Sequence, residues 1–171
     1  MIIFETELER LIDVLPQITD ANSNTFSINF DYGSPEVLAK YLSLKGKLSF
    51  PLIWSEIQED TNNLREPSVT RNNARIIIMN ETQAPDEFNP YQYKYDFDLI
   101  LQPIADNLLI ALENSGISRI NTQNIRTQRI PNYSMREIEK SLVYICNAIV
   151  ITADITFTGL TSCLNQIQFN N

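Results

Sequence analysis

The chain has 171 residues, 43% of them hydrophobic, enough to bury a core and consistent with one domain spanning 1–171. Its 21 acidic against 13 basic side chains give a formal net charge of −8, which repels a phosphate backbone and argues against nucleic acid as the primary partner. The composition contains no histidine, which removes the commonest metal ligand, the commonest general base and every histidine-containing nucleophile triad.

In chain order, Phe4, Leu8, Leu11, Ile12 and Leu15 recur at helical spacing, and Pro16 ends the pattern where a helix would lose a hydrogen bond. No basic leader or small-residue cleavage site marks this N-terminus, so no signal peptide is expected and assembly is expected in a reducing cytoplasm. "TFSINFDYG" alternates Phe26, Ile28 and Phe30 against Ser27, Asn29 and Asp31 and reads as one half-buried strand. Ser34 as N-cap, Pro35 at the first helical position and Gly46 as terminator frame a second helix carrying Val37, Leu38, Tyr41 and Leu42.

"LSFPLIW" holds a proline and is predicted as an edge or bulged strand. Trp54, the chain's one tryptophan, ends it, and is assigned first to core packing beneath the first helices and second to a subunit contact. Its acidic tail, Glu56 to Asp60, reads as a solvated turn. The run Ile76 to Met79 predicts a strand covered on both faces. Residues 81–95, with two prolines and no period, predict a protruding interaction loop.

The stripe Phe97, Ile100, Leu101, Ile104, Leu108 and Leu112 predicts a third helix, kinked at Pro103 or starting there after an extended "YKYDFDL". Asn121 to Tyr133 alternates weakly, and "MREIEKSLVYICN" is ambiguous between helix and strand. Ile149, Ile151, Ala153, Ile155 and Phe157 alternate with polar residues and give the clearest strand. The order predicts an α+β fold, a mostly antiparallel sheet of about four to five strands packed with three main helices on at least one face.

No site for metal or cofactor is assigned. Cys146 and Cys163 match no metal spacing and read as buried thiols, and the four glycines are too scattered to cradle a phosphate. Glu56, Glu59 and Asp60, or Asp96 and Asp98, retain acid–base chemistry in principle. Their places after a strand and at a helix start fit solvated carboxylates better, so no catalytic residue is assigned. Arg71 and Arg75 are expected to pair with acids at a surface or interface rather than hold an anion. The aromatic group Phe88, Tyr91, Tyr93, Tyr95 and Phe97 suits protein contact or internal packing more than a stacking platform. The candidate contact residues are Phe88, Tyr91, Tyr93, Tyr95, Arg71, Arg75, Glu56 and Glu59.

With the N-terminal helix, "FPLIWSE" (50–56), "ARIIIMNET" (74–82), "YKYDFDLILQPIADNLLIAL" (93–112) and the terminal "AIVITADITFTGL", the chain resembles small neck and tail-completion proteins of tailed bacteriophages. The likeness is to those of phages infecting Bacteroidota, including the crAss-like group. The resemblance implies a tail-terminator-like α/β sandwich and a non-enzymatic structural role in the virion. It further implies a homo-oligomeric ring of six or twelve copies that contacts a portal or adaptor ring and other neck or tail proteins. DNA would be present only as passing channel contents, with no membrane partner. Residues 121–146 depart from the family pattern. Two other readings stand beside it: a small cytoplasmic protein-binding or chaperone-like module using the 81–95 loop, and a carboxylate-dependent hydrolase using Glu56 and Glu59.

Overall fold

The computed structural model describes residues 2–19, 23–82, 93–134, 144–158 and 167–169. Helix α1, Phe4–Ile12, buries Phe4, Leu8, Leu11 and Ile12 along one stripe, and it ends before Pro16, whose missing N–H therefore breaks no helical bond. The alternating stretch after it is not one strand. β1 (Ile18–Thr19) pairs antiparallel with β2 (Thr25–Phe26), and β3 (Asn29–Gly33) then joins a different sheet. Alternation runs through both pieces because both are extended, and it specifies a face but not a neighbour.

Ser34 and Pro35 start α2, Pro35–Leu42, as expected, and Leu38 and Leu42 are its buried residues. β4 (Leu52–Glu56) corrects the expectation of an edge or bulged strand. All five of its residues are buried, and it lies between β3, which runs parallel to it, and β6 (Ser68–Glu81), which runs antiparallel. Pro51 precedes the strand, so its absent N–H is never asked for in the ladder.

The α-helix starts at Pro103's turn, as one of the two expectations has it, but the entry to it is not extended. Tyr95–Leu101 forms a π-helical turn in which the Gln102 N–H donates to the Phe97 carbonyl, five residues back. The wider turn delivers the chain into α3, Gln102–Asn114, with Pro103 in its first turn, where an N–H is dispensable. Gly116 follows at φ +73°, the left-handed position that stops a helix.

β6 and β9 (Cys146–Thr158) form the central antiparallel ribbon. One edge of β6 carries β4 and β5 (Thr61–Asn63), and the far edge of β9 carries β7 (Ser118–Ile120) and β8 (Arg126–Ile130). Among the described residues the result is α+β: three α-helices, a seven-stranded mixed sheet and a two-stranded one. The main sheet is larger than the four to five strands expected. β5 and β7 have three residues each, too few to show a period in the sequence.

Helices cover both faces. On one side α1, the π-helical turn and α3 enclose Ile53, Ile76, Ile78, Ile149, Ile151, Ile155 and Phe157. On the other, α2 with Tyr133 and Tyr144 covers Leu52, Trp54, Ile77, Met79, Ala148 and Val150. Trp54 is core, as the sequence ranks it, but beneath α2 and on the face away from α1. No helix among the described residues is long and apolar enough to cross a membrane.

Candidate interaction site

The polar residues divide into those used inside the fold and those left at its surface. Arg71 is the clearest of the first kind. A bulge interrupts β6 between Arg71 and Ala74, where Asn73 takes φ +51° and its N–H donates to Asp154 Oδ1 at 2.8 Å. In a regular strand, residues three apart point to opposite faces. The extra residue returns Arg71 to the α1 side with Ala74, opposite Ile155 and Ala153.

There the guanidinium is 1% exposed and fully occupied. Its Nε and one terminal nitrogen donate to the two oxygens of Asp60 at 2.7 and 2.8 Å, and the latter nitrogen also reaches Glu5 Oε1 at 2.6 Å. The other terminal nitrogen donates to the Glu56 carbonyl at 3.1 Å, and the plane stacks on Phe4 at 3.9 Å. Arg71 thus ties α1, β4, the loop after β4 and β6 together. Its pairing with acids follows the sequence expectation, but the pairing is buried rather than at a surface.

Two further acidic positions are corrected. Glu56 is buried and accepts from Arg75 at 2.6 Å, so it is not part of a solvated turn. Desolvation pushes its carboxyl above the usual range, with Arg75 opposing. Asp96, expected to be solvated at a helix start, is fully buried and accepts from Asn147 at 2.7 Å and Asn80 at 3.2 Å. These amides sit on β9 and β6, so the carboxylate fastens the π-helical turn to the central ribbon. Cys146 is buried as expected, and desolvation, then Glu81 and Asp96, raise its thiol pKa strongly. Cys163 lies outside the described residues.

The remaining candidates are dispersed. Phe88 and Tyr91 lie outside the described residues, as does most of the 81–95 loop. Tyr93 is exposed and packs on Phe97 with ring centroids 4.7 Å apart, whereas Tyr95 is half-buried against the core. Glu59 is exposed on the loop after β4; Arg71 takes Asp60 and the Glu56 carbonyl on one face, and Arg75 takes the Glu56 carboxylate on the other.

A group of surface polar residues lies on the α2 side of the sheet, beyond the patch around Trp54. Here Ser68 pairs with Thr158, Thr70 with Thr156, and Arg119 with Thr156, and residues paired across a ladder share a face. These hydroxyl residues are half-buried, and none belongs to an apolar cluster. The β5–β6 hairpin overhangs them. Its turn is set by Asn63 Oδ1, which accepts from the N–H groups of Arg65 and Glu66 at 3.0 and 3.4 Å, and its tip presents Leu64 at 83% exposure.

A cleft of about 410 Å³ opens between hairpin and sheet, lined by Arg65, Glu66, Ser68, Arg119, Thr156 and Thr158. Another cleft of about 400 Å³ sits between β1 and α3, but its charged residue, Asp98, already pairs with Arg129 at 3.0 Å. Sequence reading missed Arg65 and Arg119. The turn signal Asn63 and Pro67 marks the hairpin, but no local pattern places Arg119 opposite it. No protein-family model matches the chain, and neither does any curated protein sequence.

Proposed function

We propose that the chain is a non-enzymatic structural protein of a tailed-bacteriophage virion, one subunit of a neck or tail-connector ring between the portal side and the tail. The order of elements that carries the sequence resemblance supports this reading. The observation that carries it furthest is the pair of unlike open flanks on the main sheet. β3 ends one side, and β7 with β8 ends the other. Unlike flanks suit a heterologous contact, in which each copy meets the next through a different surface, and such contacts close into rings of, for example, six or twelve copies.

The β3 edge is blunted and, among the described residues, has no strand beyond it. Its Tyr32 N–H is taken by the neighbouring Asp31 carboxylate at 2.8 Å, and the Tyr32 ring is exposed. The β8 side presents Arg126, Thr127, Gln128 and Arg129, all exposed. A charged and aromatic pair of edges fits a polar-rimmed protein contact. The test is composition and imaging of purified particles: the protein is expected in the neck at fixed copy number, and its absence from virions ends the proposal. Light scattering on the isolated chain is a second measurement, in which a ring is expected at high concentration or once a neighbouring neck protein is added.

A further inference from the structure

In a chain of net charge −8, an arginine has acids in abundance to pair with. Arg10, Arg71, Arg75 and Arg129 do so, at 2.6 to 3.0 Å. Arg65, Arg119 and Arg126 do not: among the described residues none of these side chains makes an ion pair or hydrogen bond, and the first two line one cleft. Glu66 lines it too and pairs with neither. We propose that this cleft is an oxyanion-binding site, taking a carboxylate or phosphate group between Arg65 and Arg119.

The donors fit that chemistry. Each guanidinium presents a planar fork of N–H groups matched to the paired oxygens of a carboxylate or phosphate. Two guanidiniums against the Glu66 carboxylate leave the lining net positive, opposite to the chain as a whole. The hydroxyls are not equivalent. Thr158 Oγ1 already donates to the Ile117 carbonyl at 3.2 Å and has no proton left to give. Thr156 Oγ1 shares a 2.8 Å hydrogen bond with Thr70 Oγ1, and when Thr70 is the donor, the Thr156 proton is free for the ligand. Ser68 Oγ makes no hydrogen bond among the described residues and faces the same cleft. The set is therefore two charged forks and two hydroxyl donors, with a volume of about 410 Å³ that admits an organic body behind the anionic group.

The site stands independently of the ring reading, because it needs only the single chain. It is tested by recording amide resonances during titration with sodium phosphate and, separately, sodium succinate, at ionic strength held constant with sodium chloride. Expected are saturable shifts at Ser68, Arg119, Thr156 and Thr158 with at least one probe. The dissociation constant should rise at least tenfold in Arg119→Gln and in Arg65→Gln, and fall severalfold in Glu66→Gln. Arg126→Gln, on the same face but outside the cleft, should leave it unchanged. All four residues are exposed, and unperturbed resonances elsewhere report that each variant is folded. Saturation by phosphate alone assigns a phosphate ligand, and by succinate alone a carboxylate ligand. Shifts that never saturate with either probe, or an affinity unaffected by Arg119→Gln and Arg65→Gln, overturn the proposal.

Discussion

The two faces of the main sheet are completed in different ways. The face under α1 and α3 is apolar along most of β6 and β9, and the polar groups buried in it are paired: Arg71 has partners for every nitrogen, and Asp96 accepts from Asn80 and Asn147. The face under α2 is apolar only around Trp54, and gives way to half-buried hydroxyls and unpaired arginines toward the β5–β6 hairpin. Even its core is less fully satisfied, since the buried Trp54 Nε1 has no hydrogen-bond partner among the described residues. The first face is built to hold the chain together. The second holds α2 at one end, and at the other its hydroxyl residues and two of its arginines line a cleft.

The largest expected effects come from the centre of each face and differ in kind. Trp54→Ala empties a large buried site and should destabilise by about 3–5 kcal/mol in urea unfolding at any pH. Trp54→Phe should cost far less, because it also removes an indole N–H that is buried without a partner among the described residues. Arg71→Met should destabilise by about 3 kcal/mol at neutral pH by leaving the buried Glu5 carboxylate, and Asp60 beside it, without the guanidinium. That loss should shrink in a Glu5→Gln background, where the buried carboxylate no longer needs the guanidinium. Strict additivity of Arg71→Met with Glu5→Gln would erase the distinction between a face held by pairing and one held by packing.

A smaller effect sharpens the packing argument at Gly33. A Cβ there would meet Trp54 Cζ2 at 2.8 Å and Val37 Cβ at 3.2 Å, so Gly33→Ala should destabilise by about 1–3 kcal/mol. In a Trp54→Phe background the nearer clash disappears with the indole, and the same substitution should cost measurably less. Additive losses would mean that Trp54 does not impose the glycine.

The smallest expected effect is electrostatic. Burial raises the Glu56 carboxyl, with Arg75 opposing, so the folded state binds its proton more tightly than the unfolded chain does. The contribution is fully present below the unfolded carboxyl value and is lost as the pH rises through the folded one. Relative to Glu56→Gln, the parent chain should therefore lose stability as the pH rises through the carboxylate range and stay level above it. A difference that grows with rising pH would show that Arg75 outweighs burial.

Much of the architecture was legible because it is written locally. The stripe from Phe4 to Ile12, the Ser34–Pro35 start and the alternation of β9 each report a period and a stop within one segment. The contact candidates were less legible. Arg71 and Arg75 look alike in "TRNNAR", yet the Asn73 bulge turns the first inward to Glu5 while Arg75 stays on the other face with Glu56. No period in the sequence signals that extra residue. Asp96 suits a helix start on its own segment and is buried only because Asn80 and Asn147 arrive from two strands.

The sequence by itself determined the long, strongly periodic elements, α1, α2, α3, β6 and β9, the apolar side of each helix, and that the chain has no histidine to offer. Only the tertiary structure decided that β4 lies inside the sheet beside a parallel β3, that Trp54 faces α2, and that Arg65 and Arg119 share a cleft. The physical reason is that periodicity fixes the direction of a side chain relative to its own backbone. What that side chain meets depends on which distant strand lies alongside and how much of the face a helix covers.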